Sequence, residues 1–212
     1  MGLETVRSYP SVMGADELLH PPARSKRDTP PVDAVRGFVF TSGLTWMKQR
    51  GLAEKYTELL PEKARSRMLT LTASEWISVD DALVAYAACD GLRLSFEDQI
   101  EVGRVVSTAN NGIVVRTILR LVGKVASPWN ALGHADRVWQ RSNRGGAVAV
   151  YKLGPRLARL EFWQCPLARS PFFMTSMRGA MAAGIEPFCD RLVVTEIPEY
   201  ATPDSFALRM MW

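Results

Sequence analysis

Residues 145–164 read GGAVAVYKLGPRLARLEFWQ and decide the fold. Two runs rich in β-branched and aromatic residues, Ala147–Leu153 and Arg156–Gln164, flank the dipeptide Gly154-Pro155. Short apolar runs on either side of a Gly-Pro turn are typical of a β-hairpin. The stretch therefore predicts two antiparallel strands and places a sheet in the last third of the chain.

The segments after this hairpin continue the sheet. Phe172–Ile185 has a helical pattern, and its small residues allow a neighbouring element to approach closely. Leu192–Ile197 and Ser205–Trp212 have the composition of two more strands. The order strand, strand, helix, strand, strand predicts an antiparallel four-stranded sheet.

The chain before the hairpin follows helical spacing instead. Phe38, Phe40, Leu44 and Met47 recur at near-helical intervals. Further helices are predicted over Leu52–Leu60, Pro61–Leu71, Val79–Cys89, Ser95 to the break at Asn110-Asn111-Gly112, Ile113–Lys124 and Ser127–Trp139. Runs of helices followed by runs of strands predict the α+β class, with an N-terminal helical layer covering one face of the sheet.

The first 34 residues differ in composition from the rest. They hold five of the thirteen prolines, together with a mixed-charge stretch over 24–28. Proline lacks a backbone N–H and restricts the residue before it, so it disfavours regular structure. We expect residues 1–34 to form an N-terminal arm and residues 35–212 to form one domain.

Composition excludes several classes of protein. Hydrophobic residues make up 47% of the 212 residues and charged residues 23%, which excludes wholesale disorder and fibrous repeats. The three cysteines are far apart, which favours a reducing compartment. No secretory signal or apolar run of membrane-spanning length is visible. These features predict a cytoplasmic protein with no membrane partner.

Motifs for known chemistries are also missing from the sequence. The only histidines are His20 and His134, and neither H-E-x-x-H, G-x-S-x-G nor a phosphate-binding glycine loop occurs. Paired acids such as Asp80-Asp81 lie in the predicted first turns of helices, where the helix dipole favours negative charge and explains them. The sequence therefore predicts no metal site and no catalytic residue, and it favours a non-enzymatic protein while leaving an enzyme as an alternative.

The net charge of +4 conceals a local imbalance. The segment from Arg104 to Arg169 contains eleven Lys and Arg residues but only two acidic residues, which gives it a local charge of +9. The remainder of the chain carries a charge of −5. Arg116, Arg120 and Lys124 recur every four residues and would form one stripe on a helix. The stripe is a candidate site for an anionic ligand or an acidic protein partner, or else a solvated face that meets the acidic half of the fold. Nucleic-acid binding is not expected, because no reading motif accompanies the charge.

Aromatic residues concentrate at the junction between the last helices and the hairpin. They predict a core between helices and sheet, or an apolar pocket if that core is incompletely filled. The predicted lining consists of Trp129, Leu132, Trp139, Phe162 and Phe173, with Arg137 or Arg141 near the mouth.

Scattered motifs carry a resemblance to a known family. They are Val35-Arg36-Gly37-Phe38-Val39-Phe40, Trp76-Ile77, Ser127-Pro128-Trp129, Arg178-Gly179-Ala180-Met181, the strand Leu192–Ile197 and the closing strand that ends in Trp212. Over residues 35–212 the chain resembles a myxobacterial paralogous family of unknown function, which is similar to vinyl-reductase-type sensor domains and to haem nitric-oxide-binding domains. The resemblance implies a helical layer on a four-stranded sheet with a pocket between them, and it implies no reaction.

The haem-binding relatives place their iron-ligating histidine on the helix before the hairpin. His134, within Leu132-Gly133-His134-Ala135, lies on such a predicted helix. The relatives' Tyr-x-Ser-x-Arg motif, which holds the haem propionates, has no counterpart after the hairpin. The resemblance therefore leaves haem ligation by His134 as an alternative.

Three functions follow from these observations. The first is a non-enzymatic module in cytoplasmic signalling that binds a small apolar or anionic molecule or another protein and takes no cofactor. The alternative is a haem-binding or tetrapyrrole-binding sensor or enzyme that uses His134. The third is a structural or partner-binding module that forms a homodimer through a sheet edge at Ser205–Trp212.

Overall fold

The computed structural model describes residues 16–122 and 127–212, with side chains described for 16–109 and 127–212. The helices are α1 Gly37–Gln49, α2 Ala53–Leu59, α3 Glu62–Thr70, α4 Val79–Gly91, α5 Phe96–Val122, α6 Pro128–Leu132, α7 Ala135–Ser142 and α8 Pro171–Ile185. The strands are β1 Glu17–His20, β2 Ala34–Arg36, β3 Trp76–Ser78, β4 Asn143–Arg144, β5 Ala147–Gly154, β6 Leu157–Trp163, β7 Val193–Glu196 and β8 Phe206–Met211. The helices and strands together confirm the α+β class.

The larger sheet grows from the predicted hairpin. Strands β5 and β6 are antiparallel, with Val150 opposite Leu160, and β6 continues the ladder with Phe162 opposite Phe206 on β8. The strand order is β1-β5-β6-β8-β7. Alternate residues on one face, including Val150, Leu160 and Phe162, are buried because the helices cover that face.

This sheet has five strands, so the predicted four-stranded sheet is wrong by one strand. The additional strand is β1, which belongs to the predicted N-terminal arm and pairs with β5, Leu18 lying opposite Tyr151. Four residues between polar and proline-rich stretches carry too short a pattern to reveal pairing with a distant strand.

The predicted edge at Ser205–Trp212 also needs correction. Strand β8 pairs with β6 on one side and with β7 on the other, so its backbone is occupied in both directions. The edges of this sheet are β1 and β7. Strand β8 therefore offers no free edge for the predicted homodimer contact.

A smaller sheet, in the order β3-β2-β4, joins the first helices to the hairpin region. Val35 in its central strand lies opposite Ile77 and Asn143. The chain then passes through Gly145 and Gly146, whose φ angles are +83° and +64°. These left-handed conformations favour glycine, and a Cβ on Gly145 would lie 2.2 Å from the carbonyl oxygen of Pro31.

Two helix boundaries differ from the predictions. The chain continues as one helix, α5, across Asn110-Asn111-Gly112, where a break was predicted. The predicted helix Ser127–Trp139 is instead divided into α6 and α7 at Gly133 and His134. Asparagine and glycine only weaken a helix, so tertiary packing decides whether the helix continues through them.

A cavity between the helices and the sheet

An apolar cavity of about 110 Å³ lies between the helical layer and the larger sheet. Residues of α1, α4, α5, α7 and α8 line it on one side, and Val148 and Phe162 line it on the sheet side. The core predicted at this junction is therefore incompletely filled. Apolar cavities enclosed by secondary structure are the usual form of small-molecule sites.

Helix α1 forms part of the cavity wall. The sequence predicted a helix here but assigned its residues no place in the site. Phe38, Val39, Phe40 and Gly43 all line the cavity. The first three are only half-buried, although they are apolar and lie in the interior layer. Periodicity in the sequence indicates a helix here, but it does not indicate the open space that these side chains border.

Helix α7 forms another part of the wall. Ala135, Val138, Trp139 and Ser142 line the cavity, and their spacing of three and four residues places them on one face of the helix. The Trp139 indole Nε1 donates to the carbonyl oxygen of Gly145 at 3.0 Å. This bond satisfies the indole N–H and fixes the ring against the cavity.

A continuous series of aromatic contacts crosses the site. The Trp139 and Phe162 ring centroids are 5.4 Å apart, and Phe162 stacks on Phe206 at 4.3 Å. Phe173 meets Phe206 edge-on at 5.9 Å and Tyr86 at 5.3 Å. Edge-on and offset contacts of this kind are the favoured arrangements of aromatic rings. They make a rigid aromatic surface that extends from α7 through the sheet to α8 and α4.

Three ionisable side chains in the wall are held in their neutral forms. Burial raises the pKa of the Tyr86 phenol and of the Cys89 thiol far above their ordinary values. Burial likewise raises the pKa of the Tyr56 phenol. A thiol with so high a pKa is a poor nucleophile, because the reactive species is the thiolate. The wall around α4 is thus an apolar environment that disfavours charge.

Three further polar side chains of the wall hydrogen-bond to helix carbonyls. Ser142 Oγ donates to Val138 O at 3.3 Å, and Ser176 Oγ donates to Phe173 O at 3.0 Å. The amide Nδ2 of Asn143 donates to a carbonyl oxygen of α7 at 3.4 Å. Each of these side chains keeps an oxygen with lone pairs that can accept a further hydrogen bond.

The structure brings some of the predicted lining residues together and separates others. Trp139, Phe162 and Phe173 line the cavity. Leu132 is fully buried in the surrounding core but does not reach the cavity. Trp129 packs instead against Trp212, with ring centroids 4.8 Å apart.

The predicted basic and haem-ligating residues lie elsewhere. Arg137 and Arg141 are exposed on α7 and do not contribute to the cavity wall. His134 is half-buried just before α7 and is also outside the wall. The side chains of the stripe Arg116, Arg120 and Lys124 lie outside the described residues, so the anion-binding prediction stays a prediction.

The described part of the chain shows neither a cluster of metal-ligating side chains nor a helix suited to cross a membrane. Over 16–109 and 127–212, no group of three or more His, Cys, Asp or Glu is placed to hold a metal ion. Within the same ranges, no helix combines the length and the hydropathy that crossing a bilayer requires.

The fold and cavity define a class of domain, in which helices cover one face of an antiparallel sheet and enclose a pocket. Neither a protein-family model nor a curated protein sequence matches the chain. Solved structures of H-NOX domains share its fold. An oxygen-binding H-NOX domain related to soluble guanylate cyclases matches at 14% identity and a TM-score of 0.54, covering 83% of this chain and 94% of that domain.

Two further structures agree with this match. An Fe(II) unliganded H-NOX protein from K. algicida has 10% identity and a TM-score of 0.56, with 83% of this chain and 95% of that chain covered. A structure concerned with haem redox potential and porphyrin distortion has 13% identity and a TM-score of 0.54, covering 84% of this chain and 99% of that chain. The likeness to haem nitric-oxide-binding domains is therefore confirmed at the level of the fold.

This likeness bears on the predictions of cofactor and of function. The prediction that the chain takes no cofactor is contradicted, because structures of this fold concern haem and its distortion in the H-NOX family. The comparisons support the haem-sensor alternative better than the prediction of a module without haem.

The residues of this cavity can be tested directly against haem. An engineered cavity of about 150 Å³ holds a single benzene, so 110 Å³ does not admit a porphyrin unless the walls separate. On α7, the positions that face the cavity are Ala135, Val138, Trp139 and Ser142, none of which carries an imidazole. As placed, the described wall does not fit haem ligated from α7.

Proposed function

We propose that this protein is a sensor domain that binds a small molecule in the cavity between its helices and its sheet. The observation that supports the proposal is the cavity itself, which is largely apolar, lies between the two layers and is bordered by aromatic rings in mutual contact. We place the domain in cytoplasmic signalling, where occupancy of the cavity would report the concentration of the ligand.

The cavity touches elements that connect distant parts of the chain, which suits a sensor. Helix α7 is tied to the sheet by Asp136, whose Oδ1 accepts the Val148 N–H at 2.9 Å. The same helix leads into Gly145 and Gly146, and Gly146 N–H donates to Pro30 O at 2.8 Å. A ligand that displaces α7 would therefore move both the sheet and the segment around Pro30.

Variants that reduce the cavity test this proposal. Gly43 lines the cavity, and a Cβ built on it meets only Val102 Cγ1 at 3.9 Å, so Gly43→Leu would occupy part of the space. Gly184, near the end of α8, has no atom within 4 Å of its Cβ and lies outside the wall, so Gly184→Leu is the matched control.

The measurement is native mass spectrometry of the purified protein, together with thermal shifts over a broad set of small molecules. We expect at least one ligand to bind one-to-one and to raise the melting temperature of the natural protein and of Gly184→Leu, but not that of Gly43→Leu. Ligands that stabilise both variants equally would place the binding site outside the cavity and contradict the proposal.

The fold likeness favours haem as a second candidate ligand, held in a more open form of the cavity. Expression with added haem and an absorption spectrum test it directly. A Soret band that is retained on gel filtration and lost in Gly43→Leu would establish haem binding in the cavity. The variant His134→Ala then tests the predicted iron ligand, since its Soret band would shift or weaken if the imidazole binds iron and would stay the same if it does not. A colourless protein from haem-supplied cells would remove this candidate.

A further inference from the structure

We infer that the cavity selects a neutral molecule of about one ring, packed against the aromatic wall formed by Trp139, Phe162, Phe173 and Tyr86. This inference rests on the proposed function and goes further by naming the chemical class of the ligand.

The size of the cavity sets the size of the ligand. Its volume of about 110 Å³ is close to the roughly 150 Å³ that accommodates a benzene molecule in an engineered apolar cavity. Sites for larger, drug-sized ligands occupy about 300–1,000 Å³. A ligand built on a single ring therefore comes closest to the space, and a much larger ligand would require the helices to move apart.

The shape of the wall favours a ring over a flexible chain. Trp139 and Phe162 meet at 61°, and Tyr86 and Phe173 meet at 65°. A flat ring placed beside such pairs makes offset and edge-on contacts, which aromatic groups prefer. The rings are already fixed by their mutual contacts and by the Trp139 hydrogen bond, so binding a rigid ring requires little further ordering.

The chemistry of the wall favours a neutral ligand. All the described side chains that line the cavity, over 35–107 and 135–181, belong to uncharged residue types. The pKa values of Tyr86 and Cys89 are raised by the same burial, so the site stabilises protonated acids over their anions. Among the described wall residues, a carboxylate or an ammonium group would find no charged partner, and its transfer from water into such an environment is strongly unfavourable.

One hydrogen-bonding group on the ligand is compatible with the site. Ser142, Ser176 and Asn143 use a donor on helix carbonyls and keep oxygen lone pairs for a ligand hydroxyl. We therefore expect a ring that carries a hydroxyl to bind at least as well as an unsubstituted ring.

Three compounds of nearly equal size test the inference: benzyl alcohol is neutral, benzylamine carries a positive charge at pH 7 and benzoate carries a negative charge. Their affinities for the full chain are measured by NMR chemical-shift titration, with 1-hexanol as the flexible comparison. We expect benzyl alcohol to bind at least tenfold more tightly than each of the other three. Gly43→Leu should weaken its binding at least tenfold and Gly184→Leu should leave it unchanged, with Gly43→Ala as the milder variant if Gly43→Leu does not fold.

The other outcomes separate this inference from the proposed function. Benzoate or benzylamine binding as tightly as benzyl alcohol, and blocked by Gly43→Leu, would overturn the inference and support the sensor function. Binding of 1-hexanol as tight as that of benzyl alcohol, if Gly43→Leu blocks it, would also overturn the inference and support the sensor function. Haem bound in the cavity would have the same two consequences. If a broad set of ligands shows no binding that depends on Gly43, the proposed function itself is contradicted.

Discussion

At the scale of single residues, charge pairs on the surface and neutral groups in the cavity follow one rule. A charged side chain is retained where water or a partner stabilises it, and it is neutralised where neither is present. Arg104 and Glu186 illustrate the first case, forming two hydrogen bonds of 2.5 and 2.6 Å between α5 and the turn after α8. Tyr86 and Cys89 illustrate the second case, since burial keeps both of them protonated.

The Arg104–Glu186 pair predicts a pH-dependent stability. Its hydrogen bonds to Arg104 lower the pKa of the Glu186 carboxyl below the ordinary value of about 4.3. A lowered pKa in the folded state stabilises the fold above the unfolded-state pKa, and this stabilisation is lost as the pH falls through the folded-state value. Both side chains are about one-third exposed, so we expect Glu186→Gln to reduce the free energy of unfolding at pH 7 by only about 0.2–1 kcal/mol.

Urea denaturation at several pH values measures this effect. The difference between the natural protein and Glu186→Gln should be largest near pH 7 and should shrink as the pH falls through the lowered folded-state pKa of the Glu186 carboxyl. The exposed residue Glu199 supplies a control variant, Glu199→Gln, which should show no such difference. A difference that stays the same from pH 7 down to the lowest pH at which both proteins remain folded would show that the substitution acts through packing.

At the scale of the elements, the crossing of α5 and α8 holds the helical layer together beside the cavity. The helices approach so closely that a Cβ on Gly103 would lie 1.8 Å from Ser176 O, and one on Gly179 would lie 1.9 Å from Ile100 O. The start of α8 is fixed by Asp90 on α4, which accepts the Phe172 N–H at 2.7 Å. The positions of Phe172 and Phe173 in the cavity wall therefore depend on contacts made by three helices.

This crossing predicts opposite effects for two identical substitutions. Gly103→Ala forces the two helices apart, so we expect a loss of about 1–3 kcal/mol of stability. Gly184→Ala adds a methyl group where nothing lies within 4 Å, and alanine favours the helix by up to about 1 kcal/mol. Thermal unfolding of the two variants should show melting temperatures that move in opposite directions. Equal shifts would contradict the close approach of α5 and α8.

Helices and strands were predicted correctly where a local sequence pattern determines them, and less well where distant contacts do. The hairpin was predictable, because Gly154-Pro155 and the β-branched runs act locally. The continuation of α5 through Asn110-Asn111-Gly112 was not, because asparagine and glycine lower helix propensity without forbidding a helix. Strand β1 was missed for a different reason, since its pairing with β5 joins residues far apart in sequence.

At the scale of the whole molecule, the site was harder to predict than the fold. Trp139, Phe162 and Phe173 were predicted lining residues, because large aromatic residues near the hairpin identify the core. Trp129 and Leu132 are also large apolar residues close to the hairpin in sequence, but they pack in other parts of the core. Patterns identify the apolar residues of a chain, whereas the space left unfilled among them depends on how the elements pack.

On the outer face of the larger sheet, the predicted N-terminal arm contacts the domain through Asp16 and β1. Arg159, with a side chain only 8% exposed, hydrogen-bonds to Glu161 on its own strand and to Asp16 just before β1. Its guanidinium lies over the rings of Tyr151 and Tyr200, at 4.4 and 4.6 Å from their centroids. The arm thus shields a charged side chain that the sheet alone would leave more exposed.

Removal of residues 1–22 tests this relation. The cavity and its core lie on the other face of the sheet, so we expect the chain 23–212 to fold. Its free energy of unfolding should fall by about 1–3 kcal/mol, because Arg159 loses one charged hydrogen bond and β5 loses its pairing with β1. Guanidinium denaturation measures the change, and Asp16→Asn separates the ion pair from the strand. An unfolded truncated chain would make the arm an integral part of the domain, whereas an unchanged stability would show that the arm only rests on a sheet that is complete without it.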